Sequence, residues 1–110
     1  MLLGVALGAF GAHGLKGVLS EELRGVYEIG VRYQIYHSLA LFAVAWLAAR
    51  FPSRHVNAAG WCFILGILVF SGSLYALSVT GARRLGAVTP LGGVLFLIGW
   101  GLLLLAPHPL

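Results

Sequence analysis

Four long stretches of this chain, residues 1–15, 33–49, 56–82 and 85–110, contain no Lys, Arg, Asp or Glu. The seven basic and three acidic residues all stand in the joints between them. Hydrocarbon offers a backbone no hydrogen-bond partner, so only helices and closed barrels can cross it. A barrel alternates polarity along segments of about ten residues, and 56–82 shows no such alternation. The predicted fold class is all-α: an integral membrane four-helix bundle. Only 9% of the residues are charged, against about 25% in a soluble domain. At 110 residues the chain reads as one transmembrane domain covering 1–110.

The spans fall at about 2–19, 29–49, 56–80 and 89–106. Lys16 would snorkel from the end of the first. Met1 to Leu15 lacks the basic lead of a signal peptide, so it reads as a retained span. Ser20, Glu21 and Glu22 form a helix start, with a capping hydroxyl and two acids at the positive end of the dipole. The segment 20–32 is amphipathic and is expected either to lie in the interface or to extend span 2. Glu28 and Arg32 are four apart and suit an ion pair. Pro52 ends span 2, Ser53 caps span 3, and Gly81 ends it in the left-handed conformation. Thr89 and Pro90 read as N-cap and first residue of span 4, which Pro107 and Pro109 stop. Short connections make spans 2, 3 and 4 antiparallel neighbours.

The net charge is +4. The basic residues flank apolar spans, so the expected partner is the lipid bilayer and its anionic headgroups, not nucleic acid. Lys16, Arg24, Arg32, Arg83 and Arg84 gather on one side, and Arg50 and Arg54 on the other. The positive-inside rule then predicts a multi-pass membrane protein with both termini outside. Trp46, Trp61 and Trp100 fall toward the poorer side, as an aromatic belt or as packing. Cys62 lies inside a span and reads as filler.

Folding the antiparallel spans together brings a polar set to the basic half: His13, Tyr33, Gln34, His37, Ser71, Ser73 and Tyr75. Tyr36 and Thr89 lie at the same level. His37 is five residues past Arg32, about 7 Å deeper. Tyr33, Gln34 and His37 can share one helix face. Polar groups inside a membrane are costly and often functional, yet they also fasten helices to one another. Three readings stand side by side. The set is a packing device, a proton or small-solute site centred on His13, His37 and Tyr75, or a haem, quinone or metal ligand set. A metal would want a third or fourth ligand. The sequence calls for no cofactor and no metal, and it contains no nucleophile–base set, phosphate loop or Cys pair. It does not read as an enzyme, and any small-molecule ligand is unknown.

Glycine occurs 16 times. Gly4, Gly8 and Ala12 form a small-residue row on span 1, and Gly66, Gly92, Gly93 and Gly99 can act similarly elsewhere. Small residues let helix backbones approach closely in lipid, within the chain or between copies.

Four segments together resemble one family: GAFGAHGLK at 8–16, YQIYHSLAL at 33–41, FSGSLYAL at 70–77 and TPLGGVLFLIGW at 89–100. It is the small membrane-protein family of unknown function that includes the bacterial YgdD-type proteins and eukaryotic transmembrane protein 256. The resemblance implies a small helical inner-membrane protein, typically with four spans, and no established activity, cofactor or substrate. The family's polar motif positions fall on His13, Tyr33, Gln34, His37, Ser71, Ser73 and Tyr75. The expected function is non-enzymatic: helix packing in a homo-oligomer or as a subunit of a larger membrane complex. A proton or solute conduit is one alternative, and a haem- or quinone-binding subunit is the other.

Overall fold

A computed structural model describes residues 1–15 and 17–107. Its helices are α1 (Leu2–His13), α2 (Glu21–Arg50), α3 (Arg54–Gly66), α4 (Gly72–Thr80) and α5 (Thr89–Leu105). A π turn at Ile67–Ser71 joins α3 to α4, and a 3-10 turn at Arg83–Ala87 leads into α5. Because α3, the π turn and α4 form one continuous rod, Arg54–Thr80, the fold is an all-α membrane bundle of four rods. No strand occurs among the described residues. Arg54–Thr80 and Arg83–Leu105 are long and apolar enough to cross a membrane.

The ends follow local chemistry. The Ser20 hydroxyl accepts from the Leu23 N–H at 3.2 Å, and that of Ser53 from the Val56 N–H at 3.1 Å. Each satisfies an N–H that the helix leaves free. Gly81 ends α4 at φ +71°, where a side chain would clash. Helix α2 runs unbroken through the amphipathic stretch, so that stretch extends span 2. Its 30 residues make a rod of about 45 Å, close to the 50 Å long axis of the molecule.

Three local expectations need correction. Helix α1 stops at His13, short of residue 19, because Leu15 to Leu19 close a turn and Gly17 takes φ +82°. The snorkelling of Lys16 and the stop at Pro109 lie outside the described residues. Thr89 is not the N-cap of α5. The 3-10 turn runs directly into the helix through Val88, and the Thr89 hydroxyl points to Ser73 instead, at 2.6 Å. Glu28 pairs with Arg24, at 3.8 Å, and not with Arg32, which lines a surface hollow beside Gly8 and Val31.

Glycine sets the seams. Along α1, a Cβ on Gly4 would stand 2.9 Å from Ile35 and one on Gly8 3.2 Å from Val31, while one on Gly11 would enter the Tyr27 ring. The reversed order of contacts makes α1 and α2 antiparallel. Ala12 is exposed. Steps of four and then three hold one face of a 3.6-residue helix, whereas two steps of four drift off it, so the seam runs Gly4, Gly8, Gly11. Gly66 and Gly99 lie against Phe96 and Phe63, and Gly92 against the Phe70 backbone. These three lock α5 onto the α3–α4 rod. Gly93 is different: its nearest neighbour, the Phe70 ring, is 3.9 Å from where a Cβ would be.

The π turn keeps the rod's inner face in register. Its buried residues run Val56, Ala59, Gly60, Phe63 and Gly66, then Ser71, Ser73, Leu74 and Ser78. No step exceeds four except the five from Gly66 to Ser71. One extra residue in the turn absorbs that five. Two apolar clusters fill the bundle. Ala40, Val44, Val56, Phe63, Phe96 and Ala106 form one. Leu15, Tyr27 and Val31 form the other, between α1 and α2.

Candidate functional site

The buried polar groups divide into two neighbouring sets, both fastened across helices. In the first, the Tyr75 hydroxyl donates to Gln34 Oε1 at 2.5 Å. Tyr75 packs on Tyr27 with ring centroids 5.1 Å apart, and the Tyr27 hydroxyl donates to the Leu7 carbonyl at 2.7 Å. This chain of contacts ties α4, α2 and α1 together. Ser71 donates to the Gly30 carbonyl at 2.7 Å and Ser73 meets Thr89, joining the rod to α2 on one side and to the start of α5 on the other.

The second set centres on His37, which is 5% exposed. The Trp100 indole N–H donates to His37 Nε2 at 3.1 Å. An indole nitrogen can only donate, so Nε2 holds the lone pair and Nδ1 the proton of the neutral ring. Nδ1 lies 2.9 Å from the Tyr33 carbonyl and donates to it. Phe96 stacks on the imidazole at 3.6 Å and 9°, and Phe63 packs at 5.4 Å. The neutral ring therefore has both nitrogens engaged and both neighbouring helices against it.

The structure brings Gln34, His37, Ser71, Ser73 and Tyr75 together in the bundle interior. Tyr33 lies at the edge, 38% exposed. His13 stands apart: it is exposed at the end of α1, on the helix that packs against the opposite side of α2 from α5. Sequence reasoning left out Trp100 and Tyr27. The signal for Tyr27 was its place on the α1-facing stripe with Val31. Trp100 carried none, since a belt tryptophan and an indole donor look alike in a sequence. Among the described residues no group of three His, Cys, Asp or Glu side chains could hold a metal.

Beside this core lies a lateral cleft of about 450 Å3. The backbones of α2 and α5 stay apart along it, and aromatic rings bridge the gap. Tyr33, His37, Phe70, Phe96 and Trp100 line it, together with Pro90 and Gly93 of α5.

Fold and interior together define a small helical membrane protein with an internally bonded polar core. The chain belongs to a family described as "Protein of unknown function (DUF423)", whose model matches residues 7–93. It is 52% identical over 106 residues to the UPF0382 membrane protein YwdK of Bacillus subtilis, covering 96% of this chain and 86% of that one. It is 49% identical to a UPF0382 membrane protein of Staphylococcus epidermidis and 48% identical to one of Staphylococcus haemolyticus. Each of these alignments covers 96% of this chain and 85% of the relative. No solved structure matches.

Proposed function

We propose that this is a non-enzymatic, multi-pass protein of the inner membrane that acts through helix packing, with copies of itself or within a larger membrane complex. One observation carries the reading. Gln34, His37, Ser71, Ser73 and Tyr75 all hydrogen-bond within the chain. The surface left for interaction is apolar and outward-facing, for example Leu68 at 66%, Leu97 at 73% and Leu104 at 79% exposed. Buried polar groups that bond across helices set the shape of such a bundle, and side-chain packing in lipid sets its associations. The charge distribution supports an orientation with the α1–α2 and α4–α5 connections in the cytoplasm and both termini outside.

The geometry gives less support to a conduit or a cofactor between His13 and His37. The two imidazoles lie on different sides of α2, and the lone pair of neutral His37 is already taken by Trp100. To test the packing reading, a photo-crosslinking residue is placed at Leu68 or Leu97 in cells, and the mass of the protein in mild detergent is measured by light scattering. A crosslinked partner or a defined oligomer supports it. A monomer with no crosslink at either position rejects it.

A further inference from the structure

We propose that the cleft between α2 and α5 is a lipid site, in which one acyl chain of an anionic phospholipid lies along α5 with its phosphate at the Arg84 end. This goes beyond the packing reading, and only its choice of leaflet rests on the orientation proposed above. The cleft runs from Pro90 to Trp100, ten residues or about 15 Å of helix. That is half of a hydrocarbon core of about 30 Å, the depth of a single leaflet. Its volume of about 450 Å3 lies in the range of small-ligand sites. Gly93 keeps it open, because the nearest atom to a Cβ there is the Phe70 ring at 3.9 Å. The rings around it already stack on one another, Phe96 on His37 at 3.6 Å. The cleft presents these rings together with the aliphatic side chains of Val94 and Leu97, an apolar wall suited to a flexible chain.

The charge at its upper end selects the headgroup. Pro90 lies in the first turn of α5, directly after the 3-10 turn that carries Arg83 and Arg84. Glu22 holds Arg83 at 3.3 Å. Arg84 is exposed and has no carboxylate partner among the described residues. Midway along the cleft, the Tyr33 ring packs beside Phe70 and Phe96. A phospholipid offers the guanidinium what it lacks, an anionic phosphate. Anionic lipid is enriched in the cytoplasmic leaflet, the leaflet that the positive-inside rule assigns to this end.

The test is native mass spectrometry of the full chain released from bilayers of mixed phosphatidylglycerol and phosphatidylethanolamine. The expected spectrum shows one retained phosphatidylglycerol per chain. Gly93→Leu fills the cleft and is expected to cut retention about tenfold, the effect of excluding about two methylenes. Gly93→Ala, whose methyl fits at ordinary contact distance, keeps the fold and gives a smaller loss. Gly101→Leu, on the same helix but facing open space, leaves retention unchanged. Arg84→Gln abolishes the preference for phosphatidylglycerol over phosphatidylethanolamine. Equal retention by wild type and Gly93→Leu overturns the proposal. So does a bound quinone in place of lipid, or a second copy of the chain whose contact is lost with Gly93→Leu.

Discussion

Trp100 donates its indole N–H to His37 Nε2 across the α2–α5 gap, at 3.1 Å and 63 positions apart in the chain. It is the one hydrogen bond between these two helices among the described residues, and it fixes the imidazole as the Nδ1–H tautomer. Without it, a buried ring nitrogen keeps a lone pair with no donor. Trp100→Phe is therefore expected to destabilise the bundle by about 1–3 kcal/mol. Nitrogen NMR of the wild-type imidazole should show Nδ1 protonated, and the variant should show a mixture of tautomers. An unchanged spectrum in Trp100→Phe would mean that the Tyr33 carbonyl alone sets the proton.

Tyr75 and Gln34 offer a cleaner measure of what the polar set contributes. Tyr75→Phe keeps the ring against Tyr27 and Gly30 and removes only the hydroxyl. Interhelical hydrogen bonds in membranes average about 0.6 kcal/mol and reach about 1.7. A double-mutant cycle of Tyr75→Phe with Gln34→Leu, read as unfolding midpoints in detergent, should give a coupling in that range. A coupling near zero would show that the pair is not a fastening.

The seam between α5 and the α3–α4 rod has no slack at Gly92. A Cβ there would stand 2.7 Å from Phe70 Cα, and backbone cannot swing aside as a side chain can. Gly92→Ala is expected to cost about 1–3 kcal/mol as overpacking. Gly101→Ala meets nothing within 4 Å and should hold or slightly raise the unfolding midpoint, since alanine favours helix over glycine. Equal behaviour of the two variants would place the α3–α5 seam elsewhere.

The α1 seam makes a sharper contrast between neighbours. Gly11 faces the Tyr27 ring, which its own hydrogen bond to Leu7 holds in place. Gly11→Ala should loosen α1 from α2, at about 1–3 kcal/mol. Ala12 is exposed, so Ala12→Leu should change stability by no more than about 0.5 kcal/mol. Proteolysis within the α1–α2 turn reports the difference: the Gly11 variant should be cut faster and the Ala12 variant at the wild-type rate.

Much of the polar interior is legible in the residues themselves. Gln34, His37, Ser71, Ser73 and Tyr75 share a depth, and that depth follows from counting along antiparallel rods. Depth alone cannot say which side of a rod a residue occupies. His13 misses on both counts: Gly11 faces Tyr27, ten residues or about 15 Å of helix from His37, His13 lies farther out still, and α1 packs against the far side of α2. Tyr33 shares a face with His37, yet lies at the cleft edge. The small-residue row shows the same limit: Gly4 and Gly8 lie in the α1 seam, but Gly11 completes it and Ala12 does not. Two steps of four and a four followed by a three look alike in a sequence and differ in azimuth by about one residue's turn.

Local chemistry along the chain set the four rods and most of their ends, though not the end of α1 or the cap of α5. Hydrocarbon forces every spanning backbone into helix, charge cannot enter it cheaply, and Ser20, Ser53, Pro52 and Gly81 mark boundaries through bonds or dihedrals that are local. Tertiary structure alone decided the partners: Trp100 for His37, Tyr27 for the carbonyl of Leu7, Ser71 for Gly30 through a five-residue step in the π turn, and an open cleft where α2 and α5 fail to meet. Those outcomes depend on rotation and spacing between rods, to within the reach of a hydrogen bond. That is a property of how side chains from distant positions fill the same space, and no local run of residues encodes it.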